Sequence, residues 1–180
     1  MGRGFDDRSD VGGDGRPVLR IGHSPDPDDA FMWFPLTGIG EGKPLIDTGR
    51  FRYVAVQEDI SKLNRRAEEA GDLEITAISI AQYPYVCDRY ILTSCGSSMG
   101  DGYGPKIVAS KGAGLDLKVS DGFAGVAEFL RREEVRVAVP GAKTSARLAT
   151  AILVGRKAFG DITVPFDEII ERTAGGEFDA

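Results

Sequence analysis

The stretch VLRIGHSPDPDDAFMWF, residues 18–34, decides how the chain is read. Its first five residues, Val18 to Gly22, form a short apolar run closed by a glycine and prolines, the pattern of a buried strand. Three acids and two prolines follow, and then an aromatic-rich segment with helical character. Asp28 and Asp29 suit the cap and first turn of that helix, where free N–H groups and the helix dipole favour carboxylates. Pro27 is tolerated there because its missing N–H would have had no partner. A strand that turns directly into a helix is the opening of an α/β unit. Asp26, Asp28 and Asp29 admit two further readings. They could ligate a metal, which needs several oxygens converging on one point, or one of them could brace the loop or bind a ligand.

The same alternation continues downstream. FRYVAVQ (residues 51–57) alternates like a strand. EDISKLNRRAEEAG is a helix, with Asp59 or Ser61 as cap, Ile60, Leu63 and Ala67 on one face, and Gly71 as its stop. LEITAIS is a strand of β-branched residues, and Ser79 with Gln82 has the spacing of a capping box, so a helical turn is expected from Ser79. RYILTSCG and KIVAS read as strands on either side of the Gly-rich GSSMGDGYGP. SDGFAGVAEFLRREE is an amphipathic helix, VRVAVPG a strand, and KTSARLATAILVGRKAFG a helix expected to end at Gly160. DITVPF is extended, DEIIERTAGG is a last helix capped by Gly175 or Gly176, and EFDA reads as the approach to another buried strand. Alternating strands and helices give an α/β protein with largely parallel pairing. There is no internal repeat.

The totals set the class. The chain has 180 residues, of which 42% are hydrophobic, enough for one ordinary core or two small lobes. No apolar run approaches the roughly 20 residues of a membrane span. The start, residues 1–16, is rich in Gly, Asp and Arg and lacks an apolar core, so it reads as a disordered tail rather than a secretory signal. The formal net charge of −6 and the absence of a basic stripe argue against a nucleic-acid partner. A cytoplasmic location is expected. Two cysteines, Cys87 and Cys95, and a single histidine, His23, leave no zinc ligand set. The cysteines are expected as reduced, buried thiols.

Three strand-to-helix junctions carry the chemistry: SPDPDD, TAIS and PGAKTS. Ligands of open α/β sheets sit outside the carboxyl ends of strands, and helix starts there bind carboxylates or phosphates. Ordinary capping explains the same residue types one junction at a time; the three together favour a cleft. The Gly-rich segment lacks the Gly-Lys-[Ser/Thr] of a phosphate loop and is read as a turn or hinge. His23 is either a structural residue at a strand end or a general base.

These residues resemble the 1,4-dihydroxy-6-naphthoate synthase family, lyases of the futalosine route to menaquinone, from about Val18 to Ala180. SPDPDDAFMW is similar to the family's Ser-Pro-Cys-Pro-Asn-Asp-Thr-Phe start. EDISKLNRRA resembles its Asp-x-x-x-Leu-Asn helix, and EITAIS its strand ending in Thr-Lys-Leu-Ser. GDGYGPKIVA resembles its Gly-x-Gly-x-Gly-Pro hinge strand, and VAVPGAKTSARL its Val-Pro-Gly-x-x-Thr-Thr-Ala segment. The resemblance implies an α/β, type II periplasmic-binding-protein-like fold of two lobes, residues 17–112 and 113–180, with substrate in the cleft and the second lobe incomplete. It implies cleavage of cyclic dehypoxanthine futalosine to 1,4-dihydroxy-6-naphthoate, a small carboxylate ligand, and no metal or organic cofactor.

By motif position Thr76, Ala77 and Ile78, with Ser79 beside them, and Ser145 and Ala146 are implied substrate contacts, and Ser24 at the head of the first motif joins them. The Thr144–Ser145 helix start would suit the naphthoate carboxylate. Departures are visible: Asp26, Asp28 and Ala30 stand for the family's Cys, Asn and Thr, Ala77-Ile78 for Lys-Leu, and Ser145 for Thr. The family's proposed base is a His in a strand after a Gly-x-x-Asp-Ala turn. GGEFDA matches that turn and the sequence stops there, so the chain is expected to be the N-terminal portion of such a lyase, with little turnover and a marginal second lobe. The alternatives are a small-anion-binding module of the same fold and a chorismate-dehydratase-like relative.

Overall fold

The computed structural model describes residues 11–38, 43–114, 122–155 and 159–180. The chain forms two compact units. One contains Met1–Ile78 and Tyr85–Met99, the other Ser79–Pro84 and Gly100–Ala180.

The first unit is built on a parallel sheet. Strand β1 (Val18–His23) is central, flanked by β2 (Arg52–Gln57) and β3 (Ile75–Thr76) in the order β2-β1-β3. Val18 pairs with Arg52 through to His23 with Gln57, and Ile21 and Gly22 pair with Ile75 and Thr76. Parallel pairing needs long crossovers, and helices α1 (Pro27–Thr37) and α2 (Ile60–Glu69) lie in them. Leu19 and Ile21 of β1 are buried with Leu63 and Ala67 of α2, Leu73 and Val86. Gly22 sits where a side chain has no room: a Cβ there would come within 2.8 Å of Leu63 Cδ2 and Thr76 Oγ1, and nearer still to Leu73 Cδ1.

Local chemistry explains the helix ends. Pro27 opens α1, with Asp28 and Asp29 in its first turn, and Gly38 closes it at φ 77° with its N–H on Phe34 O. Asp59 caps α2 by accepting from the Ser61 N–H at 2.8 Å. Gly71, at φ 61°, ends that helix with its N–H on Arg66 O. Arg66 then forks onto Asp72 with two bonds of 2.7 Å and reaches Glu58 at 2.9 Å, tying both flanks of α2 together. The Arg66 guanidinium holds the Asp72 carboxyl below its ordinary value against the opposing effect of burial.

The second unit is layered on β4 (Val137–Val139), which pairs in parallel with β5 (Asp161–Thr163). All three residues of β4 are buried. Val137 and Val139 join Phe129 and Leu130 of α3 (Gly122–Leu130), Val154 of α4 (Ser145–Val154) and Ala180 on one face. Ala138 faces Val164, Phe178 and the Ile169 side chain of α5 (Ile169–Ala174) on the other. A strand buried on both faces reads as a continuous apolar run, as VRVAVPG does. On the side of β4 away from β5, Ala180 donates to Arg136 O and accepts from Ala138 N, a parallel register opposite Val137. Asp179 O in turn accepts from Ser110 N. Of EFDA, Phe178 and Ala180 are buried.

Several expectations are corrected. RYILTSCG and KIVAS are not strands. Ile91 is 87% exposed, and Ile107 and Val108 are also exposed. β-Branched residues prefer strands only where a ladder partner lies alongside, and the described residues offer these two runs none beyond the single Ser110 bond. Helix α4 ends at Gly155, not Gly160, because Gly155 adopts φ 76° and donates to the Ala151 and Ile152 carbonyls. Gly160 has another reason to be glycine: a Cβ would collide with Val135 O. Of the tail expected to be disordered, residues 1–10 lie outside the described residues, whereas residues 11–17 close a turn. There Gly12 N–H donates to Arg16 O, and Arg16 pairs with Asp14 and donates to Thr48 and Phe51. Cys87 and Cys95 form no disulfide and are exposed rather than buried; Val86, not Cys87, takes the inward position of that segment. The helical turn expected from Ser79 is a 3-10 turn over Ile80–Tyr85, opened by Gln82 N–H on Ser79 O.

Candidate functional site

In the first unit the candidate residues gather at the carboxyl end of the sheet. Ser24 follows the last residue of β1. Thr76 is paired with Gly22, and Ala77 N–H donates to Gly22 O at 2.7 Å, which carries the third strand one bond past Thr76. On the opposite side Glu58 N–H donates to His23 O. Thr76, Ala77 and Ile78 are half-buried. Thr76 Oγ1 donates to Ala77 O at 3.1 Å.

The acidic turn organises this end. Ser24 is buried, and its N–H donates to Asp29 Oδ2 at 2.8 Å, so the first-turn carboxylate of α1 reaches back to the residue leaving β1. The Ser24 hydroxyl donates to Asp26 Oδ2 at 2.8 Å and accepts from Asp26 N–H at 3.2 Å. Asp28 takes a third direction and accepts from the Ser98 hydroxyl at 2.6 Å. That bond holds its carboxyl below the ordinary value, opposed by desolvation. Asp26 and Asp29 thus hold two different groups of Ser24 while Asp28 holds Ser98, as bracing groups do. Among the described residues no cluster of three or more His, Cys, Asp and Glu is placed to hold a metal. His23 is buried, and its Nδ1 lies 2.7 Å from Ser24 O. Ser98 is 70 residues from Asp28, and no spacing in the sequence signals that pair.

Ser79 falls in the second unit with all but the last residue of the 3-10 turn that follows it. Ser145 and Ala146 are in that unit as well, as the first two residues of α4, both half-buried. Their N–H groups have no acceptor within the helix and lie at its positive end. Thr144 is the cap: its hydroxyl donates to Gly141 O at 2.8 Å and accepts from Arg147 N–H at 3.4 Å. Arg147 fixes the opening turn of α4 to β5 by forking onto Asp161, at 2.7 and 3.3 Å, while packing over the Phe159 ring. A surface depression of about 410 Å³ runs along α2, lined by Glu58, Lys62, Arg65, Arg66, Glu69 and Ala70. No candidate residue lines it.

No helix among the described residues is long and apolar enough to cross a membrane. The family model for menaquinone biosynthesis matches residues 19–180. The chain is 33% identical over 163 residues to the 1,4-dihydroxy-6-naphthoate synthase of Thermus thermophilus, covering 91% of this chain and 51% of that protein. It is 30% identical over 168 residues to the enzyme of the same name from Streptomyces coelicolor, with the same coverage. The chain thus spans about half the length of the curated relatives it matches. The crystal structure of a protein from Archaeoglobus fulgidus is similar with a TM-score of 0.65 and 33% identity, over 90% of this chain and 52% of that one. From the match that runs from the central strand of the first unit to the last residue of the second, the chain belongs to the menaquinone biosynthesis family.

Proposed function

We propose that the chain binds 1,4-dihydroxy-6-naphthoate and its cyclic dehypoxanthine futalosine precursor, as part of a lyase of menaquinone biosynthesis in the cytoplasm. The finer fold proposed with it is the type II periplasmic-binding-protein-like one. The observation that carries this reading is the match to the menaquinone biosynthesis family over residues 19–180, supported by candidate contacts at strand ends and helix starts. Thr76, Ala77 and Ile78, with Ser24 and Ser79, are the proposed contacts on one set of junctions. Ser145 and Ala146 are those at the start of α4, where free N–H groups and the helix dipole receive the ligand carboxylate. No metal or organic cofactor enters the proposal, and no nucleic acid or membrane does.

Ser145→Glu tests it. A carboxylate in the first turn of α4 suits the helix dipole and leaves stability intact or slightly raised, but it occupies and repels the position proposed for the ligand carboxylate. Calorimetric titration with reduced 1,4-dihydroxy-6-naphthoate should show saturable binding by the wild type and a loss of at least about tenfold in Ser145→Glu, with an unchanged melting temperature. Failure of the wild type to bind the naphthoate, while it binds small unrelated anions, would replace this reading with an anion-binding module.

A further inference from the structure

We propose that His23 is a further ligand-contacting residue, whose Nε2 accepts a hydrogen bond from a ligand hydroxyl at the carboxyl end of β1. The inference rests on the reading of the ligand as a dihydroxynaphthoate and adds a contact that the motif positions do not supply.

The ring's protonation follows from its partner. A carbonyl oxygen only accepts, so the 2.7 Å contact between Nδ1 and Ser24 O requires the proton on Nδ1. In a neutral imidazole that leaves Nε2 with a lone pair, able to accept and unable to donate. His23 is 8% exposed. Yet Nε2 has no hydrogen bond among the described residues and is not among the polar atoms sealed from solvent without a partner. It is an anchored acceptor with an open position.

Its surroundings select the ligand chemistry. His23 ends the central strand, between Glu58, whose N–H donates to His23 O, and the Gly22–Ala77 bond. Asp26, Asp28 and Asp29 crowd the loop and helix start that follow. Carboxylates at this end repel an anion, so an acceptor nitrogen here fits a neutral hydroxyl donor rather than the ligand carboxylate.

The chain has one histidine, so selective ¹⁵N labelling of histidine gives a single pair of ring signals. The probes are reduced 1,4-dihydroxy-6-naphthoate and 2-naphthoate, the same acid without hydroxyls, with calorimetry reporting binding of each. The expected result is an Nδ1-protonated neutral ring whose Nε2 signal moves with the dihydroxy acid and stays put with 2-naphthoate. In His23→Phe the preference for the dihydroxy acid should fall by about tenfold, the effect of one hydrogen bond. If the dihydroxy acid binds but Nε2 does not respond, or the ring is protonated at Nε2, the inference is overturned and the proposed function stands. If calorimetry shows no binding of either acid, the proposed function fails and the inference with it. The spectrum of the unsubstituted chain decides even if His23→Phe does not fold.

Discussion

Gly22 has no space for a methyl group. Its neighbours are the side chains of Leu63 and Leu73 and the Thr76 hydroxyl, all within 3 Å of where a Cβ would sit. Gly22→Ala should therefore overpack the first unit and lower its stability by about 1–3 kcal/mol, measured by urea unfolding. It should also displace Thr76, a candidate contact, so naphthoate affinity should fall even below the unfolding transition. At this scale the sequence was readable where chemistry is local. Asp28 and Asp29 look like first-turn acids because Pro27 and the following apolar run mark a helix start, and α1 starts there. What could not be read was the partner of each acid. Asp29 turns back to Ser24, a neighbour, but Asp28 meets Ser98, brought close only by the fold.

Among the elements, the strands with a neighbour were legible. Residues 18–22 and 51–57 became β1 and β2 almost residue for residue, since alternation and ladder agree. RYILTSCG and KIVAS have the same composition without the neighbour, and composition alone carries no information about who lies alongside. The end of α4 was misplaced for a related reason: Gly155 and Gly160 are both glycines, and only backbone geometry tells a left-handed cap from a crowded contact with Val135. The ion pair from Arg147 to Asp161 links α4 to β5, with both side chains less than a quarter exposed. Replacing Asp161 by Asn removes the charge partner and leaves a half-buried guanidinium. We expect a loss of about 1–3 kcal/mol, read from the thermal unfolding of the chain. The double variant Asp161→Asn/Arg147→Met, which leaves neither charge of the pair behind, should cost less than Asp161→Asn alone, because breaking a buried pair by removing one partner is the expensive change.

For the whole molecule, the class and the alternation of helix and strand followed from periodicity, and both units carry parallel sheets. The division of the chain did not follow, because Ser79–Pro84 groups with residues far downstream, a long-range fact with no local signature. The second unit leaves Phe123, Ile152, Phe166 and Ile170 more than half exposed. Its protection should accordingly be uneven. In native-state hydrogen exchange, Val137 and Ala138, bonded on both sides of the central strand, should exchange last. Amides of α5, a short helix with an exposed isoleucine, should exchange first. Uniform slow exchange across 135–180 would contradict the expectation of a marginal second lobe.

The Asp28–Ser98 bond has an optical consequence. Beside Ser98, Gly96 adopts φ 78° and lies against the Trp33 ring, so closely that a Cβ would be 3.3 Å from Cη2. Trp33 is the chain's single tryptophan. Its fluorescence therefore reports on one loop without any label. The Asp28 carboxyl is lowered in the folded state, so its bond to Ser98 is intact above the ordinary carboxylate value of about 4 and is lost as pH falls through the lower folded value. Acidification through that range should red-shift the emission, before far-ultraviolet dichroism changes, as the glycine backbone leaves the indole. In Ser98→Ala the shift should be present already at neutral pH. The indole is a built-in gauge of whether the segment carrying both Cys95 and Ser98 is held down or released.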